Sequence, residues 1–217
     1  TFNSEWTKKQ FLFNLPKIYT KIKKLSVVYQ STIKPKINLK KKEKIITFIG
    51  KLNSAKGYDV FGEASIKILN EFPDWSVEVI GDESREEIYF NHDRFKLNGF
   101  QNHKTVLKIL KKTSISVVCS RWDEPFGRTS LESSSHGCAT IISDKGGLPE
   151  TTSDALVLKK INSKNLYVLI KSLIKNVKLR KSLQINSIKN FYLTNTFVSK
   201  QIDCIRGKLA NKSTNYK

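Results

Sequence analysis

From Ile45 onward the apolar positions switch between two rhythms, and the switching predicts the elements. Residues 45–49 form a β-branched apolar run closed by Gly50. Residues 58–72 then place Val60, Phe61, Ala64, Ile68 and Leu69 at the three- and four-residue spacing of one helix face, and residues 75–80 form a second apolar strand closed by Gly81. The cycle repeats with strand 95–97, helix 104–112, strand 114–119, helix 127–136 and strands 139–142 and 156–158. Strands and helices in regular succession build right-handed βαβ units, so the expected fold class is α/β, a Rossmann-like parallel sheet with helices on both faces. The run Ile115-Ser116-Val117-Val118-Cys119 is nearly continuous in apolar residues, as a strand buried on both sides must be. Helical spacing over 166–174, 179–191 and 196–209 predicts a helical C-terminus.

The first 44 residues have another character. A helix is expected over 4–13, then a polar stretch and a strand over 25–29. The segment 31–44 carries Pro35 and lysines at 34, 36, 40, 41, 42 and 44, the composition of a linker or exposed loop. The expected organisation is therefore a leading piece 1–32, a basic linker 33–44, a sheet domain 45–193 and a final helix and tail 194–217.

With 217 residues at 39% hydrophobic the chain can bury a substantial core, but no apolar stretch approaches the roughly 20 residues of a membrane-spanning helix. It opens Thr1-Phe2-Asn3 without a signal peptide and contains no Met, which predicts a piece of a longer protein. Cys119, Cys138 and Cys204 form no metal-ligand rhythm with His92, His103 or His136, so reduced thiols in a cytoplasmic protein are expected. The net charge of +20 admits nucleic acid, an anionic membrane surface or a polyanionic substrate as partner. Nucleic acid is not expected, because the lysines are spread along the chain without interleaved stacking aromatics and no finger or RNP pattern occurs.

In an open parallel sheet ligands bind beyond the carboxyl ends of the strands, and the unusual loops all fall there. The first, Gly50-Lys51-Leu52-Asn53-Ser54-Ala55-Lys56-Gly57, brings two lysines across a short turn, where they suit one anion or a solvated surface. It lacks the Gly-Lys-Ser/Thr ending of a Walker loop. The second contains Glu124 and, seven residues on, Glu132, with Gly127 opening the helix between them. Backbone amides from Gly127 to Ser130 and the positive helix end suit a phosphate, flanked by two carboxylates that suit sugar and ribose hydroxyls; two glutamates also suit a solvated helix face. Trp122 suits either a sugar face or burial. The third loop, Gly146-Gly147-Leu148-Pro149-Glu150, alone reads as a tight turn, and His136 before Gly137 reads as a helix-end or packing residue.

Together these residues resemble the donor-binding, C-terminal half of the GT-B glycosyltransferases, in particular glycosyltransferase family 4. Gly50-Lys51-Leu52 through Lys56-Gly57 is similar to that family's Gly-Arg-Leu…Lys-Gly loop, and Val79-Ile80-Gly81-Asp82 to its second strand end. Leu97-Asn98-Gly99-Phe100 resembles its base-side loop, Glu124 to Glu132 its Glu-x7-Glu motif, and Gly146 to Glu150 its next loop. The resemblance covers about residues 45–160 and implies a metal-independent retaining glycosyltransferase that needs no cofactor and takes a nucleoside diphosphate sugar, UDP- or GDP-linked, as donor. It implies catalytic roles for Glu124, Lys51 and Lys56, with Glu124 on the transferred sugar, Glu132 on the ribose and the two lysines on the diphosphate. Gly50, Gly81, Leu97, Gly99, Phe126, Gly127, Arg128 and Thr129 would complete the donor site. Lys at position 51, where the family usually has Arg, replaces a bidentate fork by a point charge. The chain has no Asp-x-Asp motif. Residues 1–30 resemble the end of the acceptor domain and the last helix the segment that crosses back to it, so the piece alone is not expected to turn over. The implied acceptor is a glycan, lipid or polysaccharide precursor, which with the basic charge allows peripheral contact at the inner membrane face. The alternative is a non-catalytic Rossmann-like or basic nucleic-acid-binding module.

Overall fold

A computed structural model describes residues 1–16 and 25–213. The polar stretch expected across 17–24 and the tail 214–217 lie outside the described residues. Six strands, β1 (Glu43–Ile49), β2 (Ser76–Ile80), β3 (Phe95–Leu97), β4 (Thr113–Val118), β5 (Ala139–Ser143) and β6 (Ala155–Leu158), form one sheet in the order β3-β2-β1-β4-β5-β6, every pair parallel. The helices are α1 (Glu5–Phe13), α2 (Tyr58–Glu71), α3 (His103–Lys112), α4 (Arg128–Ser135), α5 (Ser163–Lys175), α6 (Val177–Asn190) and α7 (Asn195–Ser213). This is the expected α/β class. Asparagines start three of the helices: the side chains of Asn102, Asn162 and Asn176 accept from backbone N–H groups that have no intrahelical partner.

The two faces of the sheet are packed differently. On one, Ile46, Phe48, Val77, Val79, Ile115 and Val117 meet Phe61, Ile68 and Leu69 of α2 and Leu166, Ile170 and Leu173 of α5 in the main core. Each such buried side chain contributes about 1.5–3 kcal/mol. The other face combines a smaller apolar cluster of Ile80, Val106, Leu110 and Cys138 with hydroxylic contacts: Ser116 shares a 2.7 Å hydrogen bond with Ser133 of α4, and Thr47 one of 2.7 Å with Thr113. Side chains this short bring α4 close to β4, and the hydrogen bond restricts its sliding. That helix carries both Arg128 and Glu132.

The strand expected over residues 25–29 is not formed. Phe2 makes a single parallel bridge with Val27, and the ladder ends because Ser4 caps α1 and turns its chain into a helix. The lysine-rich run 33–44 is tied to the body: Lys34 donates to the Phe191 carbonyl (2.8 Å), and Lys42 to the carbonyls of Leu110 and His136 (2.8 Å each). Burial at this position lowers the Lys42 pKa.

Two acidic groups with raised pKa values, buried Cys119 and half-buried Tyr29, make the fold sensitive to alkali. Burial, with a smaller contribution from Asp59, raises the Cys119 thiol from 9.0 to about 12. Burial, then the nearby Glu150 carboxylate, raises the Tyr29 phenol from 10.0 to about 12. Both folded values lie above the unfolded ones, so the neutral forms stabilise the fold fully below pH about 9 and lose that contribution as pH rises toward 12. Urea midpoints measured from pH 8 to 11 are expected to fall above pH 9, with a shallower initial decline in Cys119→Ala; a flat profile would contradict the assignment.

Candidate functional site

β1 and β4 are neighbours in the sheet although β2 and β3 separate them in the chain, so their loops leave in opposite directions and open a crevice. A cavity of about 180 Å3 lies there, walled by Phe48, Ile49 and Gly50 from β1 and its end, Val118 and Ser120 from β4, and Lys56, Glu124, Gly127, Arg128 and Thr129 from the loops and α4. The two loops are fastened to each other. The Ala55 carbonyl accepts from Arg121 N (2.9 Å), Trp122 N (3.0 Å) and Ser120 Oγ (3.2 Å). Arg121 grips both oxygens of Asp59 at 2.7 Å each, and these hydrogen bonds raise its pKa. Burial alone would raise the Asp59 carboxyl, but the Arg121 bonds hold it below its ordinary value.

That fastening sets Lys56 against Glu124. Their side chains form an ion pair, 30% and 15% exposed respectively. The Asn53 side chain accepts from the Lys56 amide (3.0 Å) and fixes where this lysine leaves its turn. Glu124 is held from behind, its carbonyl accepting from Gly147 N at 2.6 Å; a Cβ on Gly146 would stand 2.2 Å from that oxygen, so only glycine permits the approach. Lys51 is exposed and does not line the cavity. Gly127 starts α4 without a side-chain cap, which leaves first-turn N–H groups beside the cavity that Arg128 and Thr129 line.

One helical turn further on, Glu132 is only 5% exposed. Its Oε1 accepts from Arg128 Nε (2.8 Å) and His103 Nε2 (2.8 Å). His103 was no candidate in the sequence; the available signal was Asn102, whose cap places His103 in the first turn of α3, just beyond the β3 end. Gly81 packs on the Gly50 carbonyl and donates its N–H to the Gly99 carbonyl (2.9 Å), which aligns the ends of β1, β2 and β3. Leu97, 54% exposed, stands at the same sheet end.

Phe126 requires a correction. Its ring is 1% exposed and stacks on Tyr29 at 5.5 Å, within a cluster with Leu131, Phe191, Leu193 and Val198, so its side chain does not reach a ligand. Burying so large an apolar ring is favourable in its own right. Glu150, at the end of the third loop, caps α1 instead: its two oxygens accept from Glu5 N (2.7 Å) and Trp6 N (2.8 Å). Trp122 is exposed. His136 is fully buried at the end of α4, with Nδ1 2.8 Å from the Glu132 carbonyl, and burial lowers its pKa.

Residues 30–190 match the family Glycosyl transferases group 1, which covers most of the chain. The chain belongs to that family of transferases. It is similar to the spore coat protein SA of Bacillus subtilis, 26% identical over 125 residues that cover 52% of this chain and 33% of that protein. The C-terminal domain of a group 1 family glycosyl transferase (LpcC) from Francisella tularensis superposes with a TM-score of 0.59 at 25% identity, covering 67% of this chain and 82% of that one. The Anabaena protein HepE, solved in complex with UDP and glucose, superposes with a TM-score of 0.74 over 94% of this chain and 62% of its own; at 14% identity this likeness shows the fold alone. The chain thus spans about a third of the spore coat protein. No helix among the described residues is long and apolar enough to cross a membrane.

Proposed function

We propose that this chain is the nucleotide-sugar-binding half of a retaining glycosyltransferase of the family 4 type, transferring a hexose from UDP or GDP to a hydroxyl of a glycan or lipid-linked acceptor. The observation that carries the reading is the cavity at the β1/β4 crevice, where Lys56, Glu124 and the uncapped start of α4 converge. When the bond from the anomeric carbon to the diphosphate breaks, its electron pair goes to the departing phosphate oxygen. Lys56 and the α4 amides stand where that charge would grow; removing one such donor typically costs on the order of 10² to 10³ in rate. Donor entry would then exchange the Lys56–Glu124 pair for two ligand contacts, Lys56 to phosphate and Glu124 to sugar hydroxyls. Lys51, exposed beside this cavity, is free to swing onto the diphosphate. We place the acceptor on a further domain of a longer protein, with residues 1–32 as its edge, 33–44 as the linker, 45–193 as the donor domain and 194–217 as the returning helix.

Calorimetric titration of the folded chain with UDP-, GDP- and ADP-sugars is the test. Binding of at least one is expected, and refusal of all three would end the proposal. Lys36, Lys40, Lys41, Lys111 and Lys112, with Glu43 paired to Lys112 and with the inward-bonded Lys42, line a groove of about 640 Å3 at the opposite end of the sheet, which supports peripheral contact with anionic lipid at the inner membrane face. Vesicles of anionic phospholipid at low salt are expected to retain the chain; no retention would remove the membrane contact while leaving the donor site intact.

A further inference from the structure

We propose that His103 is a positioning residue for donor binding: with Arg128 it aligns the Glu132 carboxylate so that one oxygen remains available to the ribose. The inference rests on the nucleotide-sugar reading of the site. Both donors that reach Glu132, His103 Nε2 and Arg128 Nε, meet the same oxygen, Oε1, at 2.8 Å. No hydrogen bond reaches Oε2 among the described residues. A carboxylate only accepts, so Nε2 carries the proton in this contact and the imidazole acts as a fixed donor.

The three residues come from two elements. Arg128 and Glu132 lie four apart on α4, which also presents its first-turn amides to the cavity. His103 opens α3, which follows the loop from the end of β3. The imidazole therefore ties the base-side loop to the phosphate-side helix through the carboxylate between them. With Oε1 saturated and Glu132 only 5% exposed, the carboxylate has little freedom to rotate, and Oε2 is the acceptor left for vicinal hydroxyls. A polar group held in place this way loses less entropy on binding than one that must first be ordered. His103 itself is 54% exposed, so its replacement disturbs little else.

The experiment compares UDP and GDP with their 2′-deoxy counterparts by calorimetry, on the wild-type chain, His103→Ala and His103→Gln. In His103→Ala the ribonucleotide is expected to bind about tenfold more weakly, as for loss of one hydrogen bond to a charged group, while the deoxynucleotide weakens less, so the preference for ribose shrinks. Gln, whose side-chain amide also donates, is expected to restore most of that preference. Wild-type binding with an unchanged ribose preference in His103→Ala, or an equal loss for both nucleotides, overturns the inference alone. Absence of any nucleotide binding by the wild-type chain overturns the site reading and the inference with it.

Discussion

Glu132→Ala is expected to weaken binding of free UDP or GDP by about 100-fold. Hydrogen bonds to a charged group are each worth about 1.5–3 kcal/mol, and the ribose offers two hydroxyls to this carboxylate, so about 3 kcal/mol is lost at 1.4 kcal/mol per tenfold. The fold should survive, because the two hydrogen-bond donors, Arg128 and His103, are 60% and 54% exposed and regain water when the carboxylate is gone. Glu124→Ala should behave differently. Its carboxylate is paired with Lys56, and its removal frees that lysine for the diphosphate, so affinity for the free nucleoside diphosphate should stay within about threefold. What should disappear is the added affinity of the nucleotide sugar over the nucleotide. Calorimetry on both variants with UDP, GDP and the matching sugars separates the two roles; equal losses of free nucleotide binding would contradict the division.

The sheet was legible because its signals are local. Strands β1, β4 and β5 are apolar runs rich in β-branched residues, and α2, α3 and α5 show their own apolar periodicity, so these need no distant partner to be recognised. The segment 25–29 has a similar apolar run but lacks a partner strand, since the chain beyond Phe2 turns helical at Ser4. The spacing of Glu124 and Glu132 was readable for the same local reason: both depend on one helix start. Their partners were not. His103 meets Glu132 across 29 residues, and Lys56 meets Glu124 across 68, distances that only the order of the strands closes. Lys51 and Lys56 look equivalent in sequence, yet the Asn53 turn fixes the backbone at Lys56 and leaves Lys51 outside the cavity wall. Phe126 sits inside the acidic motif, where position alone suggests ligand contact, but an aromatic ring next to Tyr29 and Leu131 gains more from burial.

Gly81→Ala tests whether the strand ends are the frame of the site. A Cβ at this position would stand 1.8 Å from the Gly50 carbonyl oxygen, a backbone atom that has no rotamer through which to escape. The residue also holds φ at +139°, a conformation that an L side chain strains to adopt. Overpacking and backbone strain each cost about 1–3 kcal/mol, so a loss of about 3–5 kcal/mol is expected, a drop of about 10 °C in melting temperature for a chain of this length. Relief requires the Gly50 carbonyl to move, and Gly50 forms part of the cavity wall, so donor binding should weaken together with stability. Gly99→Ala is the matched control. Its φ of +64° is also left-handed, but nothing lies within 4 Å of the added carbon. It should cost only the backbone penalty, about 1–2 kcal/mol, and leave the Gly50 carbonyl in place. Thermal melts on the two variants, with nucleotide titration of Gly81→Ala, decide the point: if Gly99→Ala costs as much stability as Gly81→Ala, left-handed strain accounts for both and the contact with the Gly50 carbonyl accounts for neither.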